Sequence, residues 1–389
     1  MNIISKILAG QLCCLALAAL SSLPLAAAPR DNVIKVGALF SVTGPAAFLG
    51  APEAKTAQMI ADKINAAGGV DGRKIQLIIK DTAGSPEKTV SFARQLIEEE
   101  RVLAIIGPST SGETMQIKNL CEENQTLLIS CAAAEVIVKP VAKYVFKTAQ
   151  NDSAAIAWIY RHMRDKNISR IAILTSNDGF GVAGKKQLED AAKAAGLEIV
   201  ANEVYDKQAT DLTDILTKVK SAAGVQAVVN WSIVPAQSIV AKNMRQLGMN
   251  IPLYQSHGFG NRKYVEQAGV AAEGILFPAS RLLVAHELPD SHPQKAVLTA
   301  YLKDYETQFK EEASAFGGYA HDALMLVIEG VRRAQSTDPA KVRDALEKLK
   351  NFVGVTGTFS FSPMDHGGLG LDAFEMLTVK DGKFTIYKP

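Results

Sequence analysis

The alternation that decides the fold begins at residue 33, in the stretch VIKVGALFSVTGPAAFLGAPEAKTAQMIADKINAAGGVDGRKIQLIIK (33–80). A β-branched run at Val33–Leu39 precedes an amphipathic segment at Glu53–Ala66 and a second apolar run at Lys74–Lys80. The glycine-rich residues 67–72 supply a helix stop followed by a tight turn. Strand, helix and strand in this order predict a parallel sheet that is covered by helices.

The same alternation continues to about Lys147 and then starts again near residue 170. In the first half, further elements are expected at Glu87–Glu99, Val102–Ile106, Thr114–Glu123 and Thr126–Ser130. In the second half, they are expected at Arg170–Thr175, Gly181–Ala195, Leu197–Ala201, Leu212–Ala222 and Ala227–Trp231. No Gly/Ser-rich or Pro-rich linker separates the halves, so we expect two similar α/β lobes with a ligand cleft between them.

Length and composition agree with a folded chain of more than one domain. A chain of 389 residues exceeds what a single hydrophobic core usually spans. Hydrophobic residues at 48% and charged residues at 21% exclude a disordered chain or a disulfide-dense scaffold. The net charge is only +2, from 42 basic and 40 acidic residues, which makes nucleic acid an unfavourable partner.

The N-terminal segment predicts export. Residues 1–28 carry one charge, Lys6, ahead of the apolar run Ile7–Leu25 and three alanines, as a secretory signal peptide does. The run is too interrupted to span a bilayer comfortably, and no small residue stands directly before Cys13 or Cys14 as a lipid anchor requires. We therefore expect a protein of the periplasm, cleaved near residue 29.

Cys121 and Cys131 are the two cysteines that remain after this cleavage. An oxidising compartment allows them to pair. Their placement on a helix and at the end of the next strand favours side chains that point apart. Buried free thiols are the favoured interpretation, with a disulfide as the alternative.

One glycine motif favours an enzymatic alternative. Residues 179–184 satisfy the Gly-x-Gly-x-x-Gly pattern of dinucleotide-binding proteins, between a strand and a helix. However, Asp178 places a negative charge where a pyrophosphate would lie, and Lys186 stands where a phosphate-binding loop needs Ser or Thr. The glycines are better explained by close packing of the helix on the strand. The serine-rich residues 107–112 lack nucleophile-elbow spacing and instead predict a helix N-terminus that can hold an anion.

Several short motifs follow one another in a recognisable order: IKVG (34–37), SVTGP (41–45), INAAGGV (64–70), IGP (106–108), DGFG (178–181) and AEGI (272–275). With this order and spacing, the chain resembles periplasmic solute-binding proteins of the branched-chain amino acid, or leucine-binding, type, which serve ATP-binding-cassette (ABC) importers. The resemblance implies a type I periplasmic binding fold: two parallel-sheet α/β lobes joined by three hinge crossings, near Thr148, Pro278 and Val355. Lobe 1 would comprise 29–148 plus 278–355, and lobe 2 would comprise 149–277 plus 356–389.

The resemblance also implies a set of ligand-binding positions. Ser111 matches the residue that grips the ligand carboxylate, and Ala132 matches a backbone contact to it. Ala134 falls where amino-acid binders carry a second hydroxyl, and His257 falls where they carry the acid that pairs with the ligand ammonium. The full set of candidate ligand-binding residues is Leu49, Ser111, Thr114, Ala132, Ala134, Phe180, Trp231, Ile233 and His257.

The implied function is transport without catalysis, metal or cofactor. The partners would be a small carboxylate ligand and the permease and ATPase subunits of an ABC importer, and the protein would be a monomer. The ligand is either of the branched-chain amino acid family or an aromatic or other non-amino monocarboxylate. The second interpretation rests on His257 at the position of the acid. Asp178 or Glu113 could still pair with a ligand ammonium if either side chain reached the cleft. His257 is expected to protonate near pH 5.5. A sensory capture receptor uses the same fold and is a further alternative.

Overall fold

The fold, taken from a computed structural model, is described for residues 33–388. The expected signal peptide at residues 1–28 lies outside the described residues. Two large sheets and one two-stranded sheet organise the chain. The strands are β1 (Val33–Phe40), β2 (Lys74–Asp81), β3 (Ala104–Ile106), β4 (Leu127–Ser130), β5 (Val145–Lys147), β6 (Arg170–Ser176), β7 (Glu198–Tyr205), β8 (Ala227–Trp231), β9 (Leu253–Gln255), β10 (Leu276–Ala279), β11 (Phe352–Val353), β12 (Thr358–Phe359), β13 (Glu375–Lys380) and β14 (Lys383–Ile386).

Helices cover both large sheets. They are α1 (Ala47–Ala66), α2 (Pro86–Arg94), α3 (Ser111–Glu123), α4 (Asp152–Asp165), α5 (Gly179–Ala192), α6 (Thr213–Ser221), α7 (Ala236–Gln246), α8 (Arg262–Ala268), α9 (Lys295–Phe309), α10 (Ala315–Ala334) and α11 (Pro339–Glu347). A π-helical turn at Gln95–Glu99 continues α2. None of the helices in the described part of the chain combines the length and apolarity needed to cross a membrane.

The first lobe is built on a parallel five-stranded sheet with the order β2-β1-β3-β4-β5. The central strands β3 and β4 are buried at every residue, whereas the edge strand β2 is partly exposed. A parallel sheet with helices on both faces buries its central strands completely, which explains their continuous apolar sequences. α10 packs against α1 in this lobe, so the chain returns here after it has built the second sheet.

The second lobe is built on a seven-stranded sheet with the order β14-β13-β10-β9-β8-β6-β7. The strands from β6 to β10 run parallel, while β13 is antiparallel to both β10 and β14. β8 has the bounds that the sequence predicts and is buried throughout. Two α/β lobes on parallel sheets are therefore present, as the sequence predicted.

The helix α1 starts six residues earlier than the predicted Glu53, so that Pro52 lies inside it. Proline has no N–H to donate to the carbonyl four residues before it. Here that carbonyl belongs to Phe48, and it accepts a hydrogen bond of 2.7 Å from the side-chain nitrogen of Asn261. A residue from the second lobe thus satisfies the group that Pro52 leaves free.

Hydrogen bonds join the chain segments that pass between the two sheets. The Thr148 hydroxyl donates to the Tyr319 carbonyl at 2.9 Å, and the Gln150 side chain donates to the Thr356 carbonyl at 2.8 Å. Asp322 accepts from the backbone N–H of Thr356 at 2.8 Å. These bonds bring the segment after β5 together with the one before β12. The domain boundaries at 148, 278 and 355 stay predictions; Pro278 itself lies within β10, where it pairs with Met376.

The two cysteines in the described part of the chain contribute to packing. Cys121, on α3, and Cys131, after β4, are both buried and both free. Burial raises the pKa of each thiol. Within residues 33–388, no group of three or more His, Cys, Asp or Glu side chains has metal-binding geometry.

Candidate functional site

A small enclosed cavity lies where α3, α5 and α10 meet. It has a volume of about 20 Å³, enough for about one water molecule, so its walls must move apart before a ligand can enter. Its walls come from both lobes, at the carboxyl ends of the parallel strands, where open α/β sheets bind ligands. The lining residues are Leu49, Ser109, Ser111, Cys131, Ala132, Ala133, Phe180, Ile233, His257, Gly258, Phe316 and Tyr319.

Six of the nine predicted ligand-binding residues lie on this wall: Leu49, Ser111, Ala132, Phe180, Ile233 and His257. The other three, Thr114, Ala134 and Trp231, lie outside the lining set. Each of them contacts or supports a lining residue or the helix that carries one, as described below. Ligand contact by any of the nine stays a prediction.

The polar end of the cavity is the start of α3. Thr110 caps the helix: its side-chain oxygen accepts from the Glu113 N–H at 3.3 Å and donates to the Glu113 carboxylate at 2.6 Å. The N–H groups of Ser111 and Gly112 precede the first intrahelical hydrogen bonds, as the first N–H groups of any α-helix do. Together with the positive end of the helix dipole, they make this end of the cavity suitable for an anion.

Ser111 adds a hydroxyl donor to this end. Its Oγ accepts a hydrogen bond of 3.2 Å from the backbone N–H of Ala134, which leaves the hydroxyl hydrogen free for a ligand. Ala134 therefore positions Ser111 through its backbone, although its side chain carries no hydroxyl.

Thr114, one turn further along α3, bonds inside the lobe. Its hydroxyl lies 2.8 Å from the Ser130 hydroxyl and donates to the Thr110 carbonyl at 3.0 Å. These bonds hold α3 on β4 and place the Thr114 side chain behind the cavity wall.

Aromatic rings form the wall of the second lobe. The ring of Phe180 stacks on Trp231 with centroids 5.5 Å apart and planes inclined by 23°. His257 lies edge-on to both rings, again at 5.5 Å. Trp231 is thus the support of the wall, and Phe180 and His257 are its surface. Rings in offset and edge-to-face contact give a rigid apolar surface for the body of a ligand.

His257 is buried and uncharged. Neither of its ring nitrogens has a hydrogen-bond partner among the described residues, and its Nε2 lies 3.9 Å from the Asp152 carboxylate. Burial, together with the positive Lys147, lowers the pKa of His257 to about 3. The expected protonation near pH 5.5 is therefore wrong, because the ring is too well desolvated to accept a proton there.

Asp178 and Glu113, the two acids considered as partners for a ligand ammonium, already accept hydrogen bonds within the protein. Asp178 caps α5 and accepts from the N–H groups of Phe180 and Gly181 at 2.9 and 3.2 Å. Glu113 accepts hydrogen bonds from the hydroxyl groups of Ser41, Thr82, Thr89 and Thr110. Among the described residues, none of those that line the cavity carries a carboxylate.

The Gly-x-Gly-x-x-Gly motif serves packing. A Cβ on Gly181 would lie 1.9 Å from the Ser176 carbonyl oxygen, and one on Gly184 would lie 2.0 Å from the Trp231 indole nitrogen. Both glycines allow α5 to lie against the strands of the second sheet. The carboxylate of Asp178 occupies the helix N-terminus where a pyrophosphate would bind in a dinucleotide site.

Six lining residues could not be identified as candidates from the sequence: Ser109, Cys131, Ala133, Gly258, Phe316 and Tyr319. Ser109 belongs to the serine-rich loop that was singled out as an anion site, and Gly258 adjoins His257. Phe316 and Tyr319 lie on α10, far along the chain from every motif. Only the tertiary packing of α10 on the first lobe brings them to the cavity.

Comparison with known proteins places the chain among binding proteins. The family model described as "Periplasmic binding protein" matches residues 33–383. A leucine-, isoleucine-, valine-, threonine- and alanine-binding protein of Pseudomonas aeruginosa is 26% identical, over 96% of this chain and 93% of that protein. These matches cover both lobes and the cavity between them.

Two solved structures are similar over 92% of this chain and the whole of each structure. An extracellular ligand-binding receptor from Rhodopseudomonas palustris HaA2 has a TM-score of 0.86 at 27% identity. The branched-chain amino acid transporter substrate-binding protein LivJ from Streptococcus pneumoniae, in complex with isoleucine, has a TM-score of 0.79 at 29% identity. With two α/β lobes around a shared cavity and a family match over most of its length, this chain belongs to the periplasmic binding protein family.

Proposed function

We propose that this protein is the exported solute-binding subunit of an ABC importer. It captures a small carboxylate ligand of the branched-chain amino acid family between its lobes and delivers it to a membrane permease. The observation that carries the proposal is the start of α3, where Ser111 lines a small, mostly apolar cavity and its hydroxyl hydrogen has no acceptor among the described residues. The names of the similar binding proteins support the same ligand family.

The cavity favours a short ligand with an apolar body. Charge-assisted hydrogen bonds from Ser111 and the helix N-terminus would hold the carboxylate. Leu49, Ile233 and Phe316 would then surround the side chain of the ligand. With a volume of about 20 Å³, the cavity must widen to take any ligand, and a short ligand requires the smallest opening.

A second candidate ligand is an aromatic or other non-amino monocarboxylate. The observation that favours it is His257, which is neutral and buried at the position where amino-acid binders carry an acid. An ammonium group that leaves water without an anionic partner loses several kcal/mol. The aromatic surface around His257 would suit an uncharged ring instead.

The compartment and partners follow from the proposed role. The signal peptide at residues 1–28 would direct the chain to the periplasm, where a monomer would meet the permease and, through it, the ATPase subunits. The alternative role is ligand capture for a sensory receptor. Uptake of radiolabelled ligand into vesicles that contain the permease separates the two roles, because a sensory protein binds the ligand without supporting uptake.

A thermal-shift screen of the purified protein tests the ligand class. The panel contains amino acids, aliphatic acids and aromatic acids, each of which stabilises the protein only if it binds the folded state. A ligand present at 100 times its Kd adds about 2.7 kcal/mol to the free energy of unfolding. The Ser111→Ala variant serves as the control, since it should lose most of the shift. A panel without any shift would contradict the proposal.

A further inference from the structure

Behind the carboxylate end of the cavity lies a buried pair, Ser109 and Glu53. Ser109 lines the cavity and is 2% exposed, while Glu53, on α1, has no exposed surface. The Ser109 hydroxyl is in hydrogen-bond contact with one carboxyl oxygen of Glu53, Oε2. It also accepts a hydrogen bond of 3.0 Å from the backbone N–H of Ser41. The other carboxyl oxygen of Glu53, Oε1, has no partner among the described residues.

The neighbouring Glu113 provides a contrast. Four hydroxyl groups donate to its two oxygens, so neither oxygen lacks a partner. Glu53 has the single contact with Ser109 and one orphaned oxygen in the same region. Glu53 therefore lacks the donors that would stabilise a negative charge, which favours its protonated form.

We propose that Ser109 is a second hydroxyl donor to the ligand carboxylate, and that protonated Glu53 is the positioning residue that turns the Ser109 hydrogen toward the cavity. The proposal deepens the proposed function and rests on it, because it takes the ligand to be a carboxylate. Ser109 is not among the ligand-binding positions that the family resemblance implies. Its hydroxyl would act together with that of Ser111.

The hydrogen bonds that Ser109 can form with Glu53 and Ser41 support this assignment. When Glu53 is protonated, its Oε2–H donates to Ser109 Oγ, and the Ser41 N–H fills the second lone pair of the same oxygen. The Ser109 hydrogen then has no acceptor among the residues that the structure describes and can reach the ligand. When Glu53 is ionised, Ser109 must donate to it, and the cavity faces a serine lone pair with a carboxylate charge behind it. Only the protonated form favours an anion.

The surroundings of Glu53 keep the proton in place. Burial raises the pKa of Glu53 to about 8, the Ser109 hydrogen bond opposes this, and the charge on Glu113 raises it further. The other titratable groups near Glu53 are Cys131 and Tyr319, and burial raises the pKa of both, so they stay neutral. A ligand carboxylate would favour the proton on Glu53 still more.

The first experiment needs no ligand. Protein labelled with ¹³C at the glutamate side-chain carboxyl is titrated by NMR from pH 5 to 9.5, and the Glu53 signal is assigned by its loss in Glu53→Gln. We expect a midpoint near pH 8, because burial raises the pKa of Glu53 to about that value. A Glu53 signal that is already ionised at pH 6 would overturn the proposal.

The second experiment measures binding of 4-methylpentanoate and leucine by calorimetry over the same pH range. Ser109→Ala should weaken binding about ten-fold at pH 7. Wild-type affinity should fall about ten-fold per pH unit above the midpoint, since binding then requires uptake of one proton. In Glu53→Gln the amide donates to Ser109 without titrating, so affinity at pH 7 should stay within about three-fold of wild type and the steep decline should vanish.

Ser111→Ala is the matched control, because it should weaken binding at every pH and keep the decline of the wild-type protein. Titration of the leucine ammonium affects wild type and Glu53→Gln equally, so the difference between them reports on Glu53. Equal pH profiles in these two proteins, or wild-type affinity in Ser109→Ala, would contradict this proposal alone. Failure of the wild-type protein to bind any carboxylate contradicts the proposed function and this proposal with it.

Discussion

Gly112, at the start of α3, and Gly179, at the start of α5, pack so closely that a Cβ on Gly179 would lie 2.7 Å from the Gly112 Cα. α3 belongs to the first lobe and α5 to the second, so this backbone contact joins the lobes. It adjoins the cavity on both sides, since the next residues in the chain include the lining residues Ser111 and Phe180. The contact is one-sided, because a Cβ on Gly112 would find Gly179 at an ordinary 3.8 Å.

Gly179→Ala should therefore oppose closure of the lobes. Its methyl group would lie 2.7 Å from a backbone atom that cannot rotate away, so the lobes must stay further apart. We expect ligand affinity to fall at least about ten-fold, which corresponds to about 1.4 kcal/mol. Small-angle scattering should show a radius of gyration that decreases on ligand binding in the wild-type protein, by hinge closure, and decreases less in the variant.

Gly112→Ala is the matched control for this prediction. It adds the same methyl group to the same contact from the side that has room, so affinity and closure should stay near wild type. Equal loss of binding in both variants would contradict the steric explanation. An unchanged radius of gyration in the wild-type protein with ligand, or recovery of a chemically altered ligand, would contradict closure without catalysis.

Ser111→Ala should weaken carboxylate binding by about 1.5–3 kcal/mol, because a charge-assisted hydrogen bond is lost. Thr114→Ala on the same helix is its control. The Thr114 hydroxyl bonds to Ser130 inside the lobe, so its removal should lower the free energy of unfolding by about 1 kcal/mol and leave affinity nearly unchanged. Calorimetry and urea denaturation of both variants separate the two effects. Wild-type affinity in Ser111→Ala would remove Ser111 from the site.

The strands of the parallel sheets could be predicted because the residues within each strand already indicate it. The run Ala227–Trp231 is apolar and β-branched, and it forms a strand with those bounds. The start of α1 could not be predicted in this way. A helix through Pro52 depends on Asn261, whose side chain satisfies the Phe48 carbonyl from 213 residues further along the chain. Distant compensation of this kind leaves no pattern in the local sequence.

The site was predictable to a similar degree. Residues next to strand ends and helix starts, such as Ser111 and His257, could be found from motifs and family resemblance. Phe316 and Tyr319 could not, because a buried aromatic on the long apolar helix α10 looks the same whether it faces a core or a cavity. The charge state of His257 also could not be predicted from the sequence, because it depends on burial of the ring by several helices and strands.

The ligand class should follow from His257. If this neutral ring replaces the acid of amino-acid binders, 4-methylpentanoate should bind more tightly than leucine, because the leucine ammonium loses its hydration without an anionic partner. Because burial lowers the pKa of His257 to about 3, the ranking should be the same at pH 7 and at pH 5.5. Calorimetry at both pH values tests it. Tighter binding of leucine at both would show that another group pairs with the ammonium and would return the protein to the branched-chain amino acid interpretation.

The stability of the folded protein should depend on pH through Glu53. The pKa of this carboxyl is raised from 4.5 to about 8 by burial, so the unfolded chain releases the proton at a lower pH than the folded protein does. The stabilisation due to the bound proton is complete below pH 4.5 and is lost as pH rises to about 8, on the order of 5 kcal/mol in total. Glu53→Gln cannot lose a proton and should escape this decline.

Urea denaturation of wild type and Glu53→Gln at pH 5 and pH 8 measures this contribution. Asp152 also has a raised pKa because of burial, but it is present in both proteins and its effect cancels in the difference between them. The variant should therefore gain stability relative to wild type between pH 5 and pH 8. If both proteins change in parallel over this range, Glu53 is ionised in the folded state, and the Ser109 hydrogen points to Glu53 and away from the cavity.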